Sequence, residues 1–215
     1  MSAESTDSGP GLAVRRYGES ALLVEVPDEH VALALVRWVR TGAVACVDAV
    51  PAAGTVLLDG VTSPHHAIAA LAGWRPTEAE VVPASGGLVT IPVTYDGDDL
   101  TRVADLWDVD VDEVVRRHTS LVLVSAFCGF APGFAYLSGL PEQWSVPRLT
   151  TPRTRVPAGS VALADRWCGV YPTSSPGGWL LLGSTRAPVW DLSRSEDDGG
   201  PALLAPGTRV RFEAV

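Results

Sequence analysis

Beyond residue 120, the chain is built from short apolar runs that are bounded by glycine, proline, serine or aspartate. Such runs are typical of strands in an antiparallel sheet, whereas neighbouring parallel strands would need a long crossover between them. The pattern therefore predicts a β-barrel or a β-sandwich rather than a parallel sheet. The runs are Leu121 to Phe127, Ser160 to Ala164, Trp179 to Gly183 and Arg209 to Glu213.

The first third of the chain instead alternates short apolar strands with two helical segments. Asp28 is a suitable N-cap for a helix that extends to about Arg40. Ser63 and Pro64 supply an N-cap and a first helical residue for a second helix, which ends near residue 73. The order strand, helix, strand, strand, helix, strand predicts a ferredoxin-like βαββαβ sandwich. Its predicted strands are Ala21 to Val26, Ala43 to Val50, Thr55 to Leu58 and Glu78 to Val82.

The turn-rich segment from Pro83 to Gly87 is a candidate boundary between these two regions. It is followed by a predicted strand, Leu88 to Val93, and by two short helices, one capped by Asp98 or Asp99 and one opened by Asp110. We therefore predict an α+β chain. Residues 1–11 form a flexible N-terminus, residues 12–84 the ferredoxin-like domain, and residues 88–215 a β-barrel domain that carries the motifs described below.

Charge and cysteine content exclude several classes of function. The formal net charge is -9 and the arginines are interspersed with acids, which argues against a nucleic-acid partner. The three cysteines form no CxxC pair, so the sequence predicts neither a disulfide framework nor a zinc site. The start of the chain lacks the pattern of a signal peptide, and no apolar run reaches membrane-spanning length. We expect a cytoplasmic protein that does not enter a membrane.

The chain contains no lysine, and all 16 residues counted as Lys or Arg are arginine. Codon bias in a GC-rich genome is a sufficient explanation, yet the absence of lysine still excludes three kinds of lysine-dependent chemistry from this chain. A Walker A phosphate loop, a Schiff-base nucleophile and a biotin attachment site all require lysine. Any such function must be supplied by a partner.

Three loop-forming cassettes combine glycine, proline, aromatic and arginine residues. Because glycine allows close approach of the backbone and guanidinium groups bind oxygen anions, these cassettes are the candidate functional region. They are GFAPGFAYL (residues 129–137), PRLTTPRTRVPAGSVAL (residues 147–163) and GVYPTSSPGGWLLLG (residues 169–183).

The second cassette supplies the first-choice catalytic residues, Arg153 and Arg155. A guanidinium group presents a planar set of donors that matches two oxygens of a carboxylate or phosphate, and the flanking prolines limit backbone freedom. The alternative is that one of these arginines forms a structural ion pair with an acid. Arg148, in the same cassette, is less favoured.

His118 is the third candidate catalytic residue. It lies near the C-terminal end of a predicted helix, where the helix dipole favours the protonated imidazole, so it could act as a general acid or bind an anion. A buried structural histidine is the alternative. His65 and His66 are adjacent and lack the i, i+4 spacing of a metal pair, and we predict that this chain ligates no metal.

The remaining candidates are substrate-binding residues. Aromatic side chains could form an apolar wall, glycines could expose backbone N–H groups to an anion, and a serine hydroxyl could hydrogen-bond. The alternative is a set of ordinary barrel turns. No GxSxG elbow or Ser, His, Asp arrangement supports Ser160 as a nucleophile. The candidates are Phe130, Gly133, Phe134, Tyr136, Ser160, Gly177 and Gly178.

Together with YDGDDL at residues 95–100 and the helix that ends in His118, these cassettes resemble the family of bacterial 5-oxoprolinase B subunits. The same family is described as allophanate hydrolase subunit 1, KipI-like, or carboxyltransferase domain subdomain C/D. The resemblance extends over nearly the whole chain and implies an N-terminal α/β domain followed by a cyclophilin-like β-barrel. Two positions depart from the family pattern: Ser184 stands where an arginine is usual, and Cys168 where a polar residue is more common.

The resemblance implies one component of an ATP-dependent enzyme complex. Such proteins open 5-oxo-L-proline to L-glutamate together with two partners, a separate A subunit plus a homologous barrel protein, the C subunit, which is similar to allophanate hydrolase subunit 2. This chain alone would be inactive. The resemblance also implies two alternatives, a KipI-like inhibitor of a sensor histidine kinase and a carboxyltransferase component of a urea carboxylase or allophanate hydrolase system. The cassettes are then interpreted as one wall of a site that another chain completes.

Overall fold

The computed structural model describes residues 12–76, 87–195 and 200–215. The chain forms two compact units, Met1–Ala84 and Ser85–Val215. The predicted strand from Glu78 to Val82 and most of the predicted boundary segment lie outside the described residues, so the exact domain limits stay a prediction.

The described part of the first unit is a four-stranded antiparallel sheet with two helices. The strands follow the order β1-β2-β4-β3 across the sheet. In chain order the elements are β1 (Val14–Tyr17), β2 (Ala21–Glu25), α1 (Glu29–Trp38), β3 (Asp48–Pro51), β4 (Thr55–Asp59) and α2 (Pro64–Gly73).

Local chemistry accounts for the ends of these helices. The Asp28 carboxylate accepts hydrogen bonds from the backbone N–H groups of His30 and Val31, both at 2.9 Å, which confirms the predicted N-cap of α1. Ser63 is not a side-chain cap of α2, because its hydroxyl pairs with the His66 ring instead. After α1 the chain turns through Gly42 (φ 91°), so β3 begins at Asp48 and not at residue 43 as predicted.

The second unit is a nearly closed β-barrel with two helices, so the barrel and not the sandwich is correct. Its seven-stranded sheet has the order β12-β9-β10-β7-β6-β13-β5, and β8 and β11 form a separate two-stranded ribbon. The elements are β5 (Leu88–Val93), α3 (Leu100–Trp107), α4 (Val111–Ser120), β6 (Leu123–Cys128), β7 (Ala135–Ser138), β8 (Arg153–Val156), β9 (Ser160–Ala164), β10 (Trp167–Val170), β11 (Ser175–Gly177), β12 (Leu180–Ser184) and β13 (Arg209–Ala214).

Two backbone hydrogen bonds between Thr94 and Ser184 join the outer strands of this sheet. The two N···O distances are 2.9 and 2.8 Å. The close approach requires glycine at position 183, because a Cβ atom there would collide with the Thr94 carbonyl oxygen. Buried apolar side chains, including Ile91, Leu137 and Phe212, fill the barrel behind this seam.

We predict that Gly183→Ala destabilises the barrel by about 1–3 kcal/mol, since the added methyl group must displace backbone. The free energy of unfolding from urea titration measures this loss. Gly87→Ala is the control, because a Cβ at residue 87 meets no atom within 4 Å. Equal stability of the two variants would show that the seam tolerates a side chain.

Candidate functional site

The three cassettes converge on one small pocket of the second unit. The pocket has a volume of about 110 Å³ and receives side chains from each cassette. Five of the predicted substrate-binding residues line it, so the structure brings most of that set together. The lining residues are Phe130, Phe134, Tyr136, Arg148, Tyr171, Pro176, Gly177, Gly178 and Trp179.

The first cassette enters the pocket through a tight turn that holds Phe130 in a left-handed conformation. The backbone of Gly129 donates to Phe134 at 3.1 Å, and the backbone of Phe134 donates to Ala131 at 2.9 Å. Phe130 has φ 69° and its exposure is 61%, a combination that costs energy for a bulky residue. Strain of this kind concentrates at binding and catalytic sites.

Gly133 is needed for packing within the chain. It has φ 84°, and a Cβ atom there would lie 2.6 Å from the Cβ of Trp190. The close approach that the sequence predicted for this glycine is therefore made to the neighbouring loop, and Gly133 is outside the set of pocket-lining residues.

The pocket wall is a preformed cluster of aromatic rings around Phe134. Its ring centroid lies 5.3 Å from both Tyr171 and Trp179, with interplanar angles of 78° and 83°. These are edge-to-face contacts, the favoured geometry for aromatic pairs. Since Phe134, Tyr171 and Trp179 are all buried, packing within the chain holds these three rings in place.

Gly177 allows the third cassette to close over this cluster. A Cβ atom at residue 177 would collide with the hydroxyl of Tyr171. Gly178 is less constrained, because the nearest atom to its Cβ would be the Leu149 carbonyl oxygen at 3.5 Å. Close backbone approach is thus required at the first of the two glycines.

Arg148 is the charged residue of the pocket, although the sequence favoured it less. Its Nε donates to Asp165 Oδ2 at 3.1 Å, and its guanidinium carbon lies 5.9 Å from the centroid of the Trp179 ring. A sequence signal was available, because Arg148 and Arg153 both directly follow a proline in the same cassette. Tyr171, Pro176 and Trp179 are the other pocket residues that the predicted set omitted.

Burial raises the pKa of the Tyr171 hydroxyl, and several nearby groups oppose that rise. They include a hydrogen bond with the Trp179 backbone and the positive charges of Arg148 and Arg153. The charges of Arg148 and Arg153 therefore act on the Tyr171 hydroxyl, although each arginine is paired with an aspartate.

Arg153 forms the structural ion pair that was the alternative to a catalytic role. Its Nη2 lies 2.8 Å from Asp99 Oδ2, and the same oxygen accepts a hydrogen bond from the Leu181 backbone at 2.8 Å. Asp99 is 6% exposed and makes no side-chain hydrogen bond that caps α3, so its predicted capping role is replaced by this one. The pair connects the β8 ribbon and β12 to the start of α3.

Arg155 is exposed on the same strand as Arg153. Its Nε donates to the Ser174 hydroxyl at 3.1 Å, and within the described residues no carboxylate forms an ion pair with it. A guanidinium group in this state remains able to bind an anion. The catalytic roles predicted for Arg153 and Arg155 stay predictions.

His118 lies in the barrel core and outside the set of pocket-lining residues. Its ring is fully buried, with Nδ1 2.6 Å from the Tyr95 hydroxyl and Nε2 3.4 Å from Cys168 Sγ. Burial lowers the pKa of His118 to about 3, which opposes the protonated form that the helix dipole would favour. This placement favours the structural alternative.

Ser160 and Cys168 are both held within the fold. The Ser160 hydroxyl donates to the Pro157 carbonyl at 2.9 Å, and burial raises the pKa of the Cys168 thiol. Ser160 has no base among its hydrogen-bond partners in the described part of the chain, so its hydroxyl is not activated. The Cys168 thiol does lie 3.4 Å from His118 Nε2, but burial raises the pKa of the thiol and lowers the pKa of the imidazole, and both shifts oppose a thiolate. Within the described residues, no group of three or more His, Cys, Asp or Glu side chains could hold a metal ion.

A helix that spans a membrane must be both long and apolar. The longest described α-helices have ten residues, and α1 continues directly into a π-helical turn, Val39–Ala43. None of the helices in the described ranges is long and apolar enough to cross a bilayer.

The fold and pocket define a class of α+β proteins in which a barrel with an aromatic and arginine pocket follows a smaller α/β unit. Residues 12–198 match the family described as carboxyltransferase domain, subdomain C and D. The chain belongs to this family.

Curated relatives agree with the family resemblance drawn from the cassettes. Proteins named as the B subunit of 5-oxoprolinase, from Escherichia coli O157:H7 and Haemophilus influenzae, are 44% and 39% identical over 138 residues. These matches cover 63% of this chain and 62–63% of the relatives. A protein of the same name from Bacillus subtilis is 36% identical over 163 residues, which cover 74% of this chain and 66% of that protein. In the first two relatives, the matched region thus spans a little under two thirds of their length.

Solved structures share the fold. TTHA0988 is 33% identical with a TM-score of 0.73, over 91% of this chain and 40% of that chain. The conserved uncharacterized protein PH0987 from Pyrococcus horikoshii is 29% identical with a TM-score of 0.56, over 94% and 97% of the two chains. The urea amidolyase of K. lactis, at 18% identity and a TM-score of 0.65, covers 100% of this chain and 16% of its own and shows the fold alone.

We predict that the Asp99–Arg153 pair stabilises the barrel. Asp99→Ala leaves the Arg153 charge and the Leu181 N–H without their partner, and should lower the free energy of unfolding by about 3 kcal/mol. Arg15→Ala is the control, since the Arg15–Glu25 pair is 52% and 43% exposed and should contribute under about 1 kcal/mol. Similar losses in the two variants would contradict a special role for the buried pair.

We also predict that His118 makes the free energy of unfolding sensitive to acid. Its pKa is about 3 in the folded chain and ~6.5 in an unfolded chain, so the unfolded state binds the extra proton as the pH falls below ~6.5. The buried, neutral His118 ring therefore contributes fully to the free energy of unfolding above that pH. This free energy should decrease by about 2 kcal/mol between pH 7 and pH 5.

Urea unfolding at several pH values tests the role of His118. His118→Asn should flatten the dependence between pH 7 and pH 5, whereas His65→Asn, at an exposed position, should leave it unchanged. An unchanged slope in the His118 variant would show that other groups cause the acid sensitivity.

Proposed function

We propose that this chain acts as the B subunit of an ATP-dependent 5-oxoprolinase, which opens 5-oxo-L-proline to L-glutamate with the help of an A subunit plus a homologous barrel protein, the C subunit. The observation that carries the proposal is the identity of 36–44% to proteins named as the B subunit of 5-oxoprolinase. The likeness to urea amidolyase is too distant to favour the carboxyltransferase alternative, because a shared fold does not establish a shared reaction.

The chemistry of the reaction explains why anion-binding groups matter. A lactam resists water because its amide is resonance-stabilised, and transfer of a phosphoryl group from ATP to the carbonyl oxygen would produce a better electrophile. Water could then add to the carbonyl carbon, the C–N bond would break, and the ring nitrogen would take up a proton. Hydrolysis of the resulting acyl phosphate would release inorganic phosphate and leave the side-chain carboxylate of glutamate. Negative charge develops on oxygen along this route, so preorganised guanidinium groups can stabilise it.

The arrangement of side chains supports a role in binding, with the reactive groups contributed in part by other subunits. The pocket supplies aromatic walls and Arg148, while exposed Arg155 supplies a second cation on the β8 ribbon. Arg153 is engaged with Asp99, and the Ser160 hydroxyl and the Cys168 thiol are buried. A chain with these properties would be inactive alone and would form one wall of a shared site.

Reconstitution tests the proposal. The full chain alone should form no glutamate, whereas mixing it with the A and C subunits should give ATP-dependent glutamate formation. Arg155→Ala should lower kcat/KM at least about tenfold without changing the melting temperature, because it removes an exposed anion contact. Arg153→Ala should lower both activity and melting temperature, since it also breaks the pair with Asp99.

Arg102→Ala is the matched control, because Arg102 is an exposed arginine on α3 of the same unit. An inactive mixture of the three wild-type proteins would overturn the proposed function. Full activity of the Arg153→Ala, Arg155→Ala double variant would overturn only the assignment of these two arginines to the site.

A further inference from the structure

Arg148 presents one edge of its guanidinium group that the chain does not use. Nε is occupied by Asp165, whereas neither Nη group has a hydrogen-bond partner within the described residues. The two Nη groups together form the end of a planar fork, which can take both oxygens of one carboxylate. Arg148 also lines the aromatic pocket, and its guanidinium carbon lies 5.9 Å from the centroid of the Trp179 ring, so the guanidinium group is next to the pocket wall.

Asp165 holds Arg148 in this arrangement. Its backbone exchanges hydrogen bonds with Val146, two residues before Arg148, at 2.6 and 3.1 Å. Asp165 itself has φ 52°, a left-handed conformation that is uncommon for residues other than glycine. The carboxylate bonds only Nε, so it orients the guanidinium group through one exposed contact and leaves the Nη edge available.

The residues that line the pocket include a cationic side chain and no anionic one. Of the nine residues that line it, Arg148 is the only charged one. Asp165 offsets part of this charge from outside the lining, and Asp99 likewise offsets Arg153, so the cationic group left for a ligand is the unused Nη edge of Arg148. An anionic group is therefore favoured over a neutral or cationic one inside the pocket.

Size and shape restrict the rest of the ligand. At about 110 Å³, the pocket is well below the roughly 300–1,000 Å³ of sites for drug-sized ligands. It holds a single small ring and excludes a nucleotide. The exposed ring of Phe130 offers an apolar surface against which such a ring can pack, and it contacts the buried rings of Phe134 and Tyr171.

We propose that this pocket binds a small ring that carries one carboxylate, and that Arg148, positioned by Asp165, is the residue that selects the carboxylate. The inference rests on the proposed function only for the identity of the ring, which would be the lactam of 5-oxo-L-proline. The carboxylate then anchors the substrate at Arg148 and leaves the lactam carbonyl for chemistry completed by other subunits.

Ligand titrations on the full chain test this inference. The probes are 5-oxo-L-proline, cyclopentanecarboxylate, which keeps the ring and carboxylate, and 2-pyrrolidinone, which keeps the lactam and lacks the carboxylate. Both carboxylates should bind and shift the indole N–H signal of Trp179 in NMR spectra, and 2-pyrrolidinone should bind at least about tenfold more weakly. The Trp179→Phe spectrum identifies that signal.

Arg148→Gln should weaken binding of both carboxylates at least about tenfold, and Arg148→Lys should retain part of it, because lysine keeps the charge without the fork. Asp165→Asn should have an intermediate effect if Asp165 only positions the guanidinium group. Arg166→Gln is the control, since the Arg166 guanidinium lies 4.7 Å from the centroid of Trp167, a residue outside the pocket lining.

Two results would overturn the inference: wild-type chain that fails to bind the carboxylates or binds 2-pyrrolidinone equally well, and an Arg148→Gln variant that binds them as wild type does. The reconstituted complex separates this inference from the proposed function. An inactive wild-type complex with intact carboxylate binding would remove only the proposed function. An active complex whose kcat/KM is unchanged by Arg148→Gln would remove only the inference.

Discussion

One carboxylate oxygen, Asp99 Oδ2, connects the parts of the barrel unit that carry the candidate site. It accepts hydrogen bonds from Arg153 on the β8 ribbon and from the Leu181 backbone on β12, and its residue directly precedes α3. Because β12 also closes the barrel through Ser184 and Thr94, the ribbon, the seam and the helix share one anchor. Breaking a buried pair of this kind costs far more than losing an exposed one, so the pocket geometry depends on a charge that never contacts it.

The sequence predicted the fold where local patterns matched the final packing. The apolar runs became β6, β9, β12 and β13, and Asp28 and Asp110 cap helices as expected. Strand β1 was missed because Val14–Tyr17 has one buried residue followed by three exposed ones, which gives no alternation. The closure between Thr94 and Ser184 could not be predicted either, since a bridge between residues 90 positions apart has no local signal.

The sequence identified residues that come together in one pocket, while the roles it assigned to them stay predictions. Composition identified Phe130, Phe134, Tyr136, Gly177 and Gly178, and all five line one pocket. The sequence could not show which arginine is available to bind a ligand, because availability depends on the partners of each one. Arg153 pairs with the buried Asp99, whereas Arg148 pairs with the exposed Asp165 through Nε alone and keeps both Nη groups available. For His118, a dipole effect of up to about 2 kcal/mol competes with a burial effect of several pKa units, and only the structure shows that the ring is fully buried.

A chain that supplies a binding wall but no activated nucleophile is consistent with a reaction whose binding groups and reactive groups come from different subunits. An aromatic pocket with one oriented guanidinium group can hold a ring and its carboxylate, but binding alone lowers KM without raising kcat. Opening a lactam also requires activation of its carbonyl and a base for water, and the described residues bury or engage His118, Ser160 and Cys168. In the proposed 5-oxoprolinase, the reactive groups would then approach the pocket from its exposed side, where strained Phe130 lies on the surface. Groups from a second chain could stabilise the transition state more than the bound substrate, which binding in this pocket alone does not do. The cassettes therefore favour a shared site over a self-contained one.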